Sequence, residues 1–174
     1  MKGLLRSLGR ASETDRSIVK RRIAFSFSAD ITGEADTVDA TTAVIGQLPE
    51  GNILLLGAVA YVAVAAGADE HVIDDWDGDY GIGTAPNGDV DLSDAEDDNV
   101  VPSTALASAA DDKDAPSTRG LSTATEQVIL DNADGSMELN LNILIDDNVI
   151  TDTEDGTFAI SGTLDIAYIV LGDD

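Results

Sequence analysis

Few residues in this 174-residue chain are equipped for chemistry. His71 is the single histidine, and so the one side chain whose ordinary titration lies near neutral pH. Serines and aspartates are plentiful enough to complete a Ser-His-Asp set on paper. No G-x-S-x-G occurs, however, and nothing sets a serine on a strained turn. There is no cysteine, which removes a thiol nucleophile, a thiolate zinc site and a disulfide framework together. Carboxylates remain. Asp75, Asp77 and Asp79 have the 1-3-5 spacing of a calcium loop, in which several oxygens converge on the ion. The pattern then breaks, because Tyr80 stands where the loop needs glycine and Pro86 where it needs glutamate. These three aspartates are the candidate metal ligands, with a solvated turn as the alternative. Asp152-Thr153-Glu154-Asp155-Gly156 is a weaker version. With 34 acids any catalytic pair can be chosen, so paired carboxylates identify nothing. No phosphate loop, dinucleotide fingerprint or zinc motif occurs. The chain is expected not to be an enzyme and to need no cofactor, a structural cation excepted.

The elements that would carry these residues sit in an unusual charge field. Asp and Glu number 34 against 9 Lys and Arg, for a net charge of -25, and aspartate outnumbers glutamate. Apolar content is ordinary at 43%, which separates the chain from acidic disordered sequences. In dilute buffer this much like charge pushes a compact state apart. At molar salt the screening length falls to ~3 Å and most of that repulsion vanishes. The composition therefore reads as that of a protein from a halophilic host. It also argues against nucleic acid or an anionic membrane as partner.

The cations cluster. Lys2, Arg6, Arg10, Arg16, Lys20, Arg21 and Arg22 fall in the first 22 residues, leaving two bases beyond them. The chain thus divides into a basic arm, 1–22, and an acidic domain, 23–174. Leu4, Leu5 and Leu8 add a small apolar face to the arm, and Ser12-Glu13-Thr14-Asp15 is placed to cap a short helix through Arg22. The alternatives for the arm are a frayed terminus and a segment that docks on an acidic neighbour.

Within the domain, period-two alternation dominates. Strands are expected over 23–31, 43–48, 53–66, 70–76, 125–130, 137–145 and 158–171. The run 53–66 is fourteen residues, short of the ~18–20 that a membrane helix requires. In 137–145 the odd positions are apolar, while Glu138, Asn140 and Asn142 form the polar face. Asp131-Asn132-Ala133-Asp134-Gly135 reads as a hairpin-like loop. Residues 77–124 are expected to be a long acidic loop region, with a short alanine-rich helix over 103–111. These segments predict an all-β fold: a single β-sandwich or jelly-roll-like domain carrying an N-terminal arm.

Several motifs together resemble capsid decoration, or cement, proteins of tailed-virus heads. Leu48-Pro49-Glu50-Gly51 leads into the small-residue strand 53–66. The strand Val72-Ile73 enters an Asp/Gly-rich turn that ends at Tyr80. Late strands at 125–130, 137–145 and 162–171 follow, the last containing Tyr168-Ile169-Val170. The likeness covers about three quarters of the chain; the basic arm and the acidic 89–114 region depart from it. The resemblance implies a virion structural protein on the outer surface of an icosahedral head, commonly as homotrimers, with the major capsid protein as partner. With the halophilic composition it implies a tailed virus of a haloarchaeon. The arm (Lys2, Leu4, Leu5, Arg6, Leu8, Arg10, Arg16, Lys20, Arg21, Arg22) would contact the capsid. The alternative is a tail, fibre or other surface β-module of a halophilic virus or cell.

Overall fold

The computed structural model describes residues 18–33, 38–66, 70–73, 76–87, 91–92, 96–106, 113–122, 129–146, 149–150 and 154–172. Every regular element among them is a strand: β1 (Val19–Thr32), β2 (Asp39–Gln47), β3 (Gly51–Ala65), β4 (Gly78–Gly83), β5 (Val101–Ala105), β6 (Asp114–Leu121), β7 (Ile129–Asn132), β8 (Glu138–Ile145) and β9 (Asp155–Gly172).

The pairing shows how the chain is wound. β1 pairs with β9, β2 with β8, β3 with β6 and β7, and β4 with β5, all antiparallel. That is one long hairpin whose tip is the β4–β5 turn. Rolling the hairpin brings β9 beside β3 and β8 beside β4. Two sheets result, one ordered β1-β9-β3-β6 with β7 also on β3, the other β2-β8-β4-β5. This is a jelly roll, a β-sandwich made by folding a hairpin across itself.

Alternation builds the core. Ile53, Leu55, Ala60, Val62 and Val64 of β3 face Leu139, Leu141, Ile143 and Ile145 of β8 in one buried cluster. Trp76 is fully buried, lies edge-on to Phe158 at 5.5 Å, and donates its indole N–H to the Lys113 carbonyl at 3.0 Å. Tyr80 is equally buried and donates to the Thr118 carbonyl at 3.2 Å; burial pushes its phenol up to about 12.

Several expectations need correction. The strand begins at Val19, so Lys20, Arg21 and Arg22 belong to β1, and neither a free arm nor a helix extends to residue 22. The fourteen-residue β1 satisfies its ladder only by running past Ile23 along β9. Residues 77–124 are not one loop, because β4, β5 and β6 lie within them. Ser103 to Ala105 are in β5 rather than a helix; 107–112 lie outside the described residues. Among the described residues of 70–76, the Val72–Ile150 bridge is the strand-like pairing that forms; 74 and 75 lie outside them. The Asp131–Gly135 turn does not close a hairpin: β7 and β8 belong to different sheets, and the turn is a corner between them. Asn132 shapes that corner by donating to the Pro49 carbonyl at 2.7 Å and accepting from Met137 N–H at 2.8 Å.

Of the polar face expected for β8, Glu138 is exposed but the two asparagines are not open to water. Asn140 and Asn142 are buried because the chain between β4 and β5 lies across the outer face of the second sheet. Asn142 holds it there. Its amide donates to the carbonyls of Ala85 (3.1 Å) and Asp97 (2.8 Å), and its oxygen accepts from Thr42 Oγ1 (2.7 Å) and Asn87 N–H (2.9 Å). Gly83 permits the overlay, since a Cβ there would stand 2.1 Å from the Glu96 carbonyl oxygen.

Candidate functional site

With the β8 and β4 part of the second sheet covered, the outer face of the first is the broader surface left to consider. Its composition follows from register. Residues opposite one another in an antiparallel sheet share a face, so each cross-strand row can be read directly. One row runs Ile169, Leu54, Ile129, with Ile18 in phase beside it at the start of β1. The next holds Lys20, Ala167 and Gly57. Then come Arg22, Asp165, Val59 and Leu121, followed by Ala24, Thr163, Tyr61 and Arg119. Beyond these the face turns small, with Ser26, Ser161 and Ala63, then Ser28, Ala159 and Ala65 beside Asp114, before Asp30 and Thr157.

The carboxylates of this face stand at its two ends, Asp131 at one and Asp30, Asp114 and Asp155 at the other, and its middle rows hold one. Asp165 lies in its middle, but Arg22 grips it with two 2.7 Å bonds, Nε to Oδ1 and Nη2 to Oδ2. That hydrogen-bonded pairing lowers the carboxyl and raises the guanidinium relative to their ordinary values. Large apolar side chains stand in water here: Ile129 is 61% exposed, Ile18 56%, Leu121 42% and Tyr61 42%. A bulge at Leu56, between the pairs Leu55–Tyr168 and Gly57–Ala167, opens a groove of about 600 Å³. Lys20, Gly57, Val59, Leu121, Asp165 and Ala167 line it. In the middle rows, exposed aliphatics beside Tyr and Arg, with carboxylates kept to the ends, make up the composition of an interface core rather than of a solvated face.

Of the residues singled out for metal or catalysis, Asp77 and Asp79 both lie near Asp146. Asp75 lies outside the described residues. Asp79 is in β4, and the Asp77 carbonyl accepts from the Asp146 N–H at 3.1 Å. Asp146 is raised above the ordinary carboxylate range, first by burial and then by the charges of Asp77 and Asp79 and its hydrogen bond to Asp77. Among the described residues no three His, Cys, Asp or Glu side chains converge to hold a metal ion. Asp155 is in β9, where it accepts from Thr32 Oγ1 at 2.6 Å; Asp152 and Thr153 are not described. His71 Nε2 lies 3.9 Å from exposed Glu70.

Of the expected contact residues, Lys2, Leu4, Leu5, Arg6, Leu8, Arg10 and Arg16 lie outside the described residues. Lys20 and Arg22 fall on the outer face of the first sheet, while Arg21 points the other way and donates to the Gln47 carbonyl at 2.7 Å. Sequence reasoning missed the sheet face itself. The signal was present: Leu54, Leu56, Val59 and Tyr61 make β3 apolar in both phases, as in a strand covered on both sides.

Fold and surface together define a jelly-roll β-sandwich with one weakly charged sheet face. No protein-family model matches the sequence, and no curated protein does. Among solved structures, the chain is similar to one in the infectious bursal disease virus Gx strain (10% identity, 90% of this chain and 33% of that one, TM-score 0.41). It is also similar to a chain of the cyanophage Pam1 capsid asymmetric unit (14%, 88% and 85%, TM-score 0.38) and to the decameric BFDV capsid protein (11%, 87% and 99%, TM-score 0.40). The chain spans about a third of the infectious bursal disease virus chain. These likenesses concern the fold alone.

Proposed function

We propose that this chain is a non-enzymatic virion structural protein, a decoration (cement) protein on the outer surface of the icosahedral head of a tailed virus with a halophilic host. The observation that carries the reading is the outer face of the first sheet, which exposes Ile18, Leu121 and Ile129 on a chain of net charge -25. In molar salt, charge steering is lost, so attachment must come from burying apolar area at short range. That face offers such area, and Lys20 on it supplies a charge-assisted hydrogen bond to an acidic capsid subunit. Ile18 lies on this face, and the basic residues 2–16 precede it in the sequence. The resemblance of the Leu48-Pro49-Glu50-Gly51 turn and later strands to head decoration proteins points the same way.

The test is rebinding. Heads stripped of the protein are mixed with purified chain at 3 M KCl, and bound copies are counted. The reading expects hundreds of copies per head, and loss of binding by the folded double variant Leu121→Asp/Ile129→Asp. A handful of copies would favour a tail or fibre component. Full binding by the double variant would remove the sheet face from the account.

A further inference from the structure

A sheet ends in strands whose outward N–H and C=O groups lack partners, and proteins normally blunt such edges. Among the described residues this sandwich has four edges, and three are blunted. β2 carries a bulge between Val44 and Gly46. β5 has five residues and contains Pro102. On the far side of the first sheet, β6 contains Pro116 and its pairing with β3 is broken by a register shift, while β7 has four residues. β1 is different. It has fourteen residues, no proline, and an unbroken register against β9. Among the described residues it pairs on that one side only. At ~3.4 Å per residue it presents roughly 48 Å of open edge.

We propose that β1 pairs antiparallel with β1 of a second copy of this chain across a two-fold axis at Ser26. The sequence of β1 is self-complementary in that register. Arg22, which keeps its two bonds to Asp165, falls opposite Asp30 of the second copy, and Lys20 lies diagonal to that same aspartate. Ala24 falls opposite Ser28, and Ser26 opposite itself, so small side chains occupy the centre. On the other face Phe25 falls opposite Phe27. Both rings are only half-buried in the single chain, at 6.5 Å from each other, although they stand in the inward phase of the strand. The second copy covers them. A parallel pairing would set Lys20, Arg21 and Arg22 against themselves; the antiparallel one sets cation against carboxylate at both ends. This deepens the self-association expected of a virion subunit, because two copies so joined extend the first sheet and double its weakly charged face. Its evidence is nevertheless independent of what that face binds.

The experiment uses the full chain at 2 M KCl, away from any particle. Light scattering should give an even multiple of the 18.0 kDa chain mass. Ser26→Cys should form disulfide-linked dimers on mild oxidation, since directly opposed residues bring their Cα atoms within ~5.5 Å. Leu121→Cys, on the sheet face, should link less than a tenth as fast. Asp30→Lys should weaken dimerisation about tenfold or more, with the circular dichroism of the folded chain retained. A strict monomer at ~100 µM, or an oligomer that Leu121→Cys links and Ser26→Cys does not, overturns the pairing. Particle binding would survive that result, so the two readings fail separately.

Discussion

Replacing Asn142 with leucine removes four hydrogen bonds from a buried position and frees the segment that covers the second sheet. At ~1 kcal/mol net per bond the loss is about 4 kcal/mol, and backbone groups left unpaired add to it. Burial of the leucine side chain returns ~1–2 kcal/mol. The net expectation is about 3 kcal/mol, which lowers Tm by ~6–12 °C for a chain of this size. Thermal unfolding at 3 M KCl, followed through the emission of the single tryptophan, Trp76, reads the shift. Hydrogen exchange locates it: the Thr84 and Ala85 amides, which donate to the Glu96 carbonyl, should lose protection while β3 and β9 keep theirs. A drop smaller than ~2 °C, or protection lost evenly across both sheets, would refute the idea that Asn142 clamps this cover.

Asp146→Asn should raise Tm at neutral pH. Because the folded carboxyl is raised, its ionised form opposes folding; that penalty is present above the raised value and is relieved as pH falls through it, so the gain should shrink in acid melts. Tyr80 is raised from 10.0 to about 12, so stability should fall as pH climbs from about 10 through about 12, with Tyr80→Phe flattening that limb. Removing residues 2–17 should leave a folded domain by circular dichroism, whereas removing 2–22 should lower Tm sharply, since it deletes four β1 residues paired with β9. Lowering salt to ~0.1 M should unfold the chain, because a ~10 Å screening length lets the carboxylates repel; an unchanged spectrum would count against the halophilic reading.

Much of the sandwich was legible because both its inner faces follow period two. Met137 to Ile145 and Phe158 to Leu171 identify themselves as strands, and β3 follows the Leu48-Pro49 turn. The strands β4, β5 and β6 were hidden for a physical reason. Gly78, Gly81 and Gly83 replace the large side chains that alternation depends on, because backbone or loop atoms lie where a Cβ would stand. Pro102 and Pro116 likewise argue against strands except at edges, which is where β5 and β6 lie. Asn140 and Asn142 looked solvated because no local pattern reports that a distant segment folds over them. The basic residues drew attention to the N-terminus and away from the sheet face, which exists only once four strands are placed side by side. Ile129, Leu54 and Ile169 become one row through pairing, not through sequence spacing.

The central claim is that the outer face of the first sheet is covered in the assembled state. Oxidative footprinting at 3 M KCl, comparing the free chain with the chain bound to heads, tests it most directly. The account predicts several-fold protection of Leu54, Tyr61, Leu121 and Ile129 on binding, with exposed Val44 on the second sheet's side unchanged. Equal labelling of the four in both states, or protection confined to the second sheet's side, would contradict it.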